Sequence, residues 1–467
     1  MFDCANLTGL NPIFTVDSYK TSHFNQYPAG ATRVSSYIEA RGGRFDEVVF
    51  FGLQAFIKAY LLTPITADDV NAAAETFASH GVPFYKEGWM QVVNGFGGYL
   101  PVTIEALPEG TVTKTRVPQV QITCAPGFWW LTSYLETALL RAVWYPSTVA
   151  TLSREAKKVI VAGLEKTADN LDGLPFKLHD FGARGATSAE AAMLGGMGHL
   201  VNFMGTDTVE AVIGARRYYD ERMAGFSIPA TEHSTMTSWT RDGEVDAYRN
   251  LLEQYPTGLV ACVSDSYDIM NAVTNIWGGE LKDEVMARDG TLVVRPDSGD
   301  PTQMPLDVIE ALMDKFGYTV NAKGYKVLPP QVRVIQGDGM NIDTIGVLIQ
   351  NAAERGISVD NFAMGMGGGL LQKVDRDTCK YAMKANAIEV NGAWVDVYKD
   401  PITDQGKKSK RGRQAVVMRD GELTAIRRDD LVKGAHGTER NYLRTVFENG
   451  NLLVNDIFAE VRERAAV

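Results

Sequence analysis

Between Lys177 and Gly369, a short apolar run breaks into Gly, Asp, Arg or His about seven times. The runs are Lys177-Leu-His-Asp-Phe-Gly, Leu200-Val-Asn-Phe-Met-Gly-Thr-Asp207, Phe226-Ser-Ile-Pro-Ala-Thr-Glu-His233, Leu259-Val-Ala-Cys-Val-Ser-Asp265, Thr291-Leu-Val-Val-Arg-Pro-Asp-Ser-Gly299, Val332-Arg-Val-Ile-Gln-Gly-Asp338 and Asn361-Phe-Ala-Met-Gly-Met-Gly-Gly-Gly369. Each has the length of a buried strand, and most are separated by enough residues for a helix. Strand, polar cluster, helix is the repeat of a barrel-like α/β domain, which carries its chemistry at the carboxyl ends of its strands. The expectation is therefore an irregular (β/α) barrel over residues 146–384.

The flanks read differently. Arg33–Ala40, Glu47–Gly52, Val102–Leu107, Val112–Arg116 and Val120–Thr123 have strand character, with turn residues between several of them. Phe128–Leu140 reads as an apolar helix, and Ser153–Ala168 as the lead helix of the barrel. Ala387–Tyr398 reads as a hairpin turning at Asn391-Gly392. Residues 1–145 and 385–467 are expected to form one discontinuous, mainly β (α+β) domain around the inserted barrel.

Composition narrows the function. The net charge of −11, from 46 Lys and Arg against 57 Asp and Glu, disfavours a nucleic-acid partner. Cys4, Cys124, Cys262 and Cys379 form no C-x-x-C pair, which argues against a zinc or disulfide framework and fits a reducing cytosol. No apolar run approaches the roughly 18 residues that span a bilayer, and Met1–Leu7 does not read as a secretory signal. A soluble cytoplasmic enzyme without membrane or nucleic-acid partners is expected.

The strand ends supply candidate chemistry. Arg295-Pro-Asp297-Ser298-Gly299 suits an anion-and-ribose grip, the guanidinium forking onto phosphate and the carboxylate taking hydroxyls; a plain Pro-Asp-Ser-Gly turn is the alternative. Gly365-Met-Gly-Gly-Gly369 offers backbone N–H groups to a phosphate, or is simply a flexible turn. Gly337-Asp338-Gly339 holds a carboxylate suited to ribose hydroxyls or a metal. His233, with Glu232 beside it and Asp265 at the next strand end, has the setting of a general base or phosphoryl acceptor. Phe181 with Arg184 suits a flat ring, against a core phenylalanine as alternative. Asp207 suits an amide N–H, against a helix N-cap. His179 and His199 read as structural.

These motifs in this order, with Asp17-Ser-Tyr-Lys20 and Gln26-Tyr-Pro, resemble the nicotinamide phosphoribosyltransferase family of type II phosphoribosyltransferases over nearly the whole chain. Ala183 and the short loop after Arg41 are similar to its compact bacterial and phage members. The resemblance implies transfer of the phosphoribosyl group of phosphoribosyl pyrophosphate to nicotinamide in NAD salvage. It implies a homodimer with shared sites, Mg²⁺, and ATP as a co-substrate acting through a phosphohistidine. On it, Phe181 and the partner's Tyr19 sandwich the pyridine ring, and Asp207 accepts from the carboxamide. Arg184, His233 and Arg295 grip pyrophosphate. Asp297, Ser298, Gly337, Asp338 and Gly368 hold the ribose and 5′-phosphate region. Arg41, Arg376, Lys384 and Lys399 add positive charge there, Glu232 and Asp265 orient His233, and Lys407 and Arg413 contact ATP phosphates; no direct metal ligand is assigned. Nicotinate phosphoribosyltransferase, or a non-catalytic binding protein on the same fold, are the alternatives.

Overall fold

The computed structural model describes residues 9–403, 408–431, 433–434 and 437–467. The chain divides into two compact units. One comprises residues 1–151, 213–222 and 374–466, and the other residues 152–212 and 223–373 with the last residue.

The second unit is built on six parallel strands: β1 (Leu178–Asp180), β2 (Gly205–Thr206), β3 (Thr257–Val263), β4 (Asp289–Arg295), β5 (Val332–Gln336) and β6 (Phe362–Met366), in the order β2-β1-β6-β5-β4-β3. Six of the seven runs are thus strands. The third, Phe226–Ala230, makes only isolated parallel bridges, Gly205 with Phe226 on one side and Ala230 with Ala261 on the other. Phe226 N–H donates to Met204 O (2.7 Å), and Ala261 N–H to Pro229 O (2.9 Å). Pro229 has no N–H to return, so no continuous ladder forms. The segment nevertheless joins edge strands β2 and β3 and closes the ring. Inside it, Ala261, Val293 and Ile335 form a buried layer against which Phe181, Ile228 and Ala363 pack.

Two sequence expectations change. The second run is strand only at its end, because Leu200 closes the helix Ala189–Leu200. The two helices expected around residue 146 are joined by one helix, Glu136–Thr167, which runs through Pro146. Proline inside a helix costs about 3 kcal/mol. Complete burial of Leu139, Val143, Val149 and Ile160 offsets that cost, at about 1.5–3 kcal/mol per large apolar side chain.

The first unit carries a seven-stranded sheet in the order Ala393–Asp396, Tyr381–Val390, Ala31–Ala40, Val120–Cys124, Val102–Ala106, Arg444–Glu448, Asn451–Leu452. The expected hairpin is present: Tyr381–Val390 pairs with Ala393–Asp396 across Asn391 (φ 53°) and Gly392 (φ 81°). Two positive φ values are the signature of a type I′ turn. Residues 213–222, expected within the barrel stretch, group with this unit. Tyr219 is buried there, stacked on Phe51 (5.1 Å), and its hydroxyl donates to Glu109 (2.6 Å). Among the described residues no helix is long and apolar enough to cross a membrane, and Cys124, Cys262 and Cys379 are free and buried.

Glu109 has a consequence for stability. Burial pushes its carboxyl up to about 7, against the lowering effect of bonds from Tyr219 and from the N–H groups of Gly52 and Gln54. The folded protein therefore holds this proton more tightly than the unfolded chain. The stabilisation is complete below the ordinary glutamate range and is lost as pH rises towards 7. Relative to Glu109→Gln, the native protein is expected to lose up to about 1.4 kcal/mol per pH unit between about pH 5 and 7, read from urea midpoints across that range.

Candidate active site

The carboxyl ends of the ring strands gather the candidate residues of the second unit. Phe181 follows β1, its N–H donating to Met366 O (3.1 Å). A Cβ on Gly365 would lie 2.0 Å from the Phe181 ring, and one on Gly337 would lie 3.3 Å from it. The ring therefore lies over two strand ends that only glycine keeps clear. Phe181 packs on the interior layer and presents an aromatic surface that can support a flat ligand. Gly365 accordingly makes room for that ring, in addition to belonging to the glycine cluster read as a phosphate turn.

Asp207 stands at the next strand end. Its N–H donates to Asp180 O (2.9 Å), which ties it to the residue preceding Phe181. Its side chain is exposed, and its Oδ1 accepts the Ser227 hydroxyl at 2.5 Å. Beneath it, Asp180 is buried, with Oδ1 accepting from Gly182 N–H (2.7 Å). Burial pushes the Asp180 carboxyl up to about 6, opposed by the bond from Gly182 N–H and reinforced by the charge of Asp207.

Further round the ring, His233 opens the short helix His233–Thr237, and its Nε2 meets Asp265 Oδ1 at 2.9 Å. Asp265 is committed on both oxygens, since Oδ2 accepts from Ser298 Oγ (2.6 Å) and from Asp297 N–H (3.2 Å). Burial alone would raise this carboxyl. The bonds from Ser298, His233 and Asp297, with the histidine's charge, outweigh it and hold Asp265 below the usual aspartate range. Arg295 forks onto Asp297 through Nε (3.1 Å) and a terminal nitrogen (2.8 Å), and His233 Nδ1 is 3.9 Å from Asp297 Oδ2. Asp338 and Gly368 lie at the ends of β5 and β6, with Asp338 exposed and open space around Gly368. Arg184 lies in the exposed turn after Phe181.

Two sequence assignments take different form here. Asp265, not Glu232, orients His233: the Glu232 carboxylate sits at the start of the same helix and accepts the Ser234 hydroxyl. Ser298, read as a substrate contact, spends its hydroxyl on Asp265. The structural reading of His199 holds, since it is buried between Ser153 Oγ (3.0 Å) and Gly205 O (3.2 Å), where it supports β2. Sequence reasoning missed Asp180 and Ser227. The Asp-x-Gly turn at 180–182 was a usable signal for the first. Ser227 had none, because only the pairing of separated strand ends brings it to Asp207.

The first unit holds the remaining candidates. Lys384 has a lowered ammonium pKa. Burial is the main cause and Glu136 opposes it, while the charges of Arg41, Lys399 and Lys20 lower it further. Three of the four cations assigned to phosphate therefore form one like-charge group, an arrangement that an anion relieves. The fourth, Arg376, reaches Asp377 at 3.5 Å. Tyr19 is 59% exposed. Arg413 lies 4.8 Å over the Trp394 ring and 3.9 Å from Asp429. Lys407 lies outside the described residues.

Residues 176–451, which include the entire ring from β1 to β6, match the nicotinate phosphoribosyltransferase (NAPRTase) family. The chain belongs to this family. Residues 11–104 also match the nicotinamide phosphoribosyltransferase N-terminal domain. A relative from Xanthomonas campestris pv. campestris, named nicotinamide phosphoribosyltransferase, is 49% identical over 97% of this chain and 98% of its own length. One of the same name from Acinetobacter baylyi is 34% identical over 98% of this chain and 97% of its own. Among solved structures, nicotinate-nucleotide pyrophosphorylase from Pyrococcus furiosus aligns at TM-score 0.61 and 17% identity, covering 99% of this chain and 96% of that one. Human nicotinic acid phosphoribosyltransferase aligns at 0.57 and 17%, covering 96% and 92%. At that identity these two establish the fold of this NAPRTase-family chain, an α/β type II phosphoribosyltransferase fold, and nothing finer.

Proposed function

We propose that the chain transfers the phosphoribosyl group of phosphoribosyl pyrophosphate to nicotinamide. The observation that carries this reading is Phe181 and Asp207 at adjacent strand ends, joined through the Asp207 N–H to Asp180 O bond. A pyridine ring lies on Phe181 and its carboxamide N–H donates to Asp207. The names of the two bacterial relatives support the same substrate.

In the reaction the pyridine nitrogen bonds to C1 of the ribose as the C1–oxygen bond to pyrophosphate breaks. The bonding pair leaves with pyrophosphate, and the ribose passes through an oxocarbenium-like state. No side-chain nucleophile is needed for that step. Arg184 and Arg295 neutralise the leaving group, and Asp297 and Asp338 hold ribose hydroxyls, so catalysis is positioning and charge compensation. Arg295 is held ready by Asp297, and pyrophosphate takes over part of that pairing. Asp297 or Asp338 would hold a Mg²⁺ ion together with the substrate phosphates. Bound there, Mg²⁺ would supply further charge neutralisation on the leaving group.

Two further elements complete the proposal. ATP stimulates transfer by phosphorylating His233. In a homodimer, Tyr19 of the partner subunit covers the open face of the pyridine ring, and the site operates in the cytoplasm. The test is mononucleotide formation from nicotinamide and phosphoribosyl pyrophosphate, with and without ATP. Nicotinamide is expected to be used well ahead of nicotinate, whose carboxylate would face Asp207; equal use would defeat the amide reading. Mixing Tyr19→Ala chains with Arg295→Ala chains should restore activity through heterodimers with one intact site. Confirmed heterodimers without activity would show that each chain builds its site alone.

A further inference from the structure

Asp207 is fixed at its backbone from one side and at its side chain from the other. The main chain is tied to β1 by the Asp207 N–H to Asp180 O bond (2.9 Å). On the opposite side runs the third segment of the ring. Thr206 N–H donates to Phe226 O (3.0 Å), so Phe226–Ile228 lies parallel to Gly205–Asp207 and the two chains leave the ladder together. Ser227 and Asp207 therefore emerge side by side at the rim. The Ser227 hydroxyl donates to Asp207 Oδ1 at 2.5 Å, and Oδ2 accepts no hydrogen bond among the described residues.

We propose that Ser227 is the residue that sets substrate specificity through Asp207: it holds the carboxylate so that Oδ2 alone faces the ligand as an acceptor. The inference rests on the reading of Asp207 as the carboxamide acceptor and extends it. A carboxylate whose rotation is free presents an averaged acceptor, whereas one pinned through Oδ1 presents a directed one. The arrangement also removes a donor. With its proton committed to Oδ1, Ser227 cannot serve a substrate carboxylate, so a nicotinate would meet Oδ2 with no proton between them.

The same geometry makes a prediction about the amide variant. In Asp207→Asn, the Ser227 hydroxyl fixes the side-chain oxygen on its own side and turns the NH₂ towards the ligand, where it can donate to a carboxylate. Acceptance of nicotinate by that variant should therefore depend on Ser227. In Ser227→Ala the asparagine is free to rotate, and the gain is lost.

The experiment is steady-state kinetics on nicotinamide and nicotinate, at saturating phosphoribosyl pyrophosphate, for Ser227→Ala, Ser227→Thr, Asp207→Asn and Asp207→Asn/Ser227→Ala. Ser227→Ala should raise KM for nicotinamide about 3–10-fold, the range for one lost hydrogen bond, with kcat within about twofold. Ser227→Thr, which keeps the hydroxyl, should bring KM back to within about twofold of the native value. Asp207→Asn should gain nicotinate activity, and the double variant should lose at least about two-thirds of that gain. If Asp207→Asn shifts preference while Ser227→Ala leaves KM unchanged and the double variant matches the single, the role of Ser227 is overturned and that of Asp207 stands. If Asp207→Asn shifts nothing, the reading of Asp207 fails, and the role of Ser227 falls with it.

Discussion

Gly365→Ala will cost the protein both stability and nicotinamide binding. The added methyl would sit 2.0 Å and 2.2 Å from two carbons of the Phe181 ring, well inside contact distance. The ring has little room to yield. Gly337 lies against the same ring edge, where even a Cβ would come within 3.3 Å, and the Phe181 N–H is tied to Met366 O. Gly365 itself lies within β6, paired in register with His179, so its backbone cannot shift without disturbing the ladder. Overpacking of this kind costs about 1–3 kcal/mol, or roughly 2–10 °C in Tm for a domain of this size. KM for nicotinamide should rise at least about tenfold, since a displaced Phe181 forfeits aromatic stacking worth about 1 kcal/mol and intrudes on the ligand's volume. Phe181→Ala/Gly365→Ala separates the two effects: deleting the ring should recover part of the Tm while KM stays high. A single Gly365→Ala variant with native Tm and native KM would mean that Phe181 does not form the floor of the site.

The same glycine shows how far the sequence can be read. Strand ends and their glycines follow from apolar runs that stop at turn residues, which is a local property of the chain. The ring is legible for that reason, and six of the seven runs are ladder strands. The third run fails to become one because Pro229 withholds an N–H, a cue the apolar pattern alone does not weigh. The purpose of each glycine is less legible. Gly365 reads as part of a phosphate turn, but its backbone passes under an aromatic ring that arrives from β1, nearly two hundred residues earlier. Ser298 and Glu232 behave alike: each carries a plausible functional group beside a site residue, and strand neighbours decide which job it does. Residues 213–222 fall in the barrel by position along the chain, but a tyrosine packed on Phe51 and bonded to Glu109 places them in the other unit.

On the proposed ATP coupling, Asp265→Asn will suppress stimulation by about 10²–10⁴-fold, the range for loss of a carboxylate that fixes an imidazole tautomer. Asp265 Oδ2 already accepts two donors, Ser298 Oγ and Asp297 N–H, so an asparagine must put its oxygen there and turn its NH₂ to His233. That reverses the histidine. With the native carboxylate, Nε2 carries the proton and Nδ1 keeps the lone pair that would take a phosphoryl group. With asparagine, Nε2 must accept, the proton moves to Nδ1, and the nucleophilic lone pair is hidden against the amide that replaces the carboxylate. Asp297 cannot rescue the native tautomer, because its Oδ2 lies on the Nδ1 side of the ring, 3.9 Å away, where an acceptor favours the reversed form. His233→Ala should abolish the stimulation outright, and both variants should retain reduced, ATP-independent transfer. Acid-labile, alkali-stable phosphoprotein formed from γ-labelled ATP provides the direct measurement: present in the native chain, absent in His233→Ala and strongly reduced in Asp265→Asn. Native levels of that phosphoprotein in His233→Ala would move the acceptor to another residue, and full stimulation in Asp265→Asn would show that the tautomer is set by something other than this carboxylate.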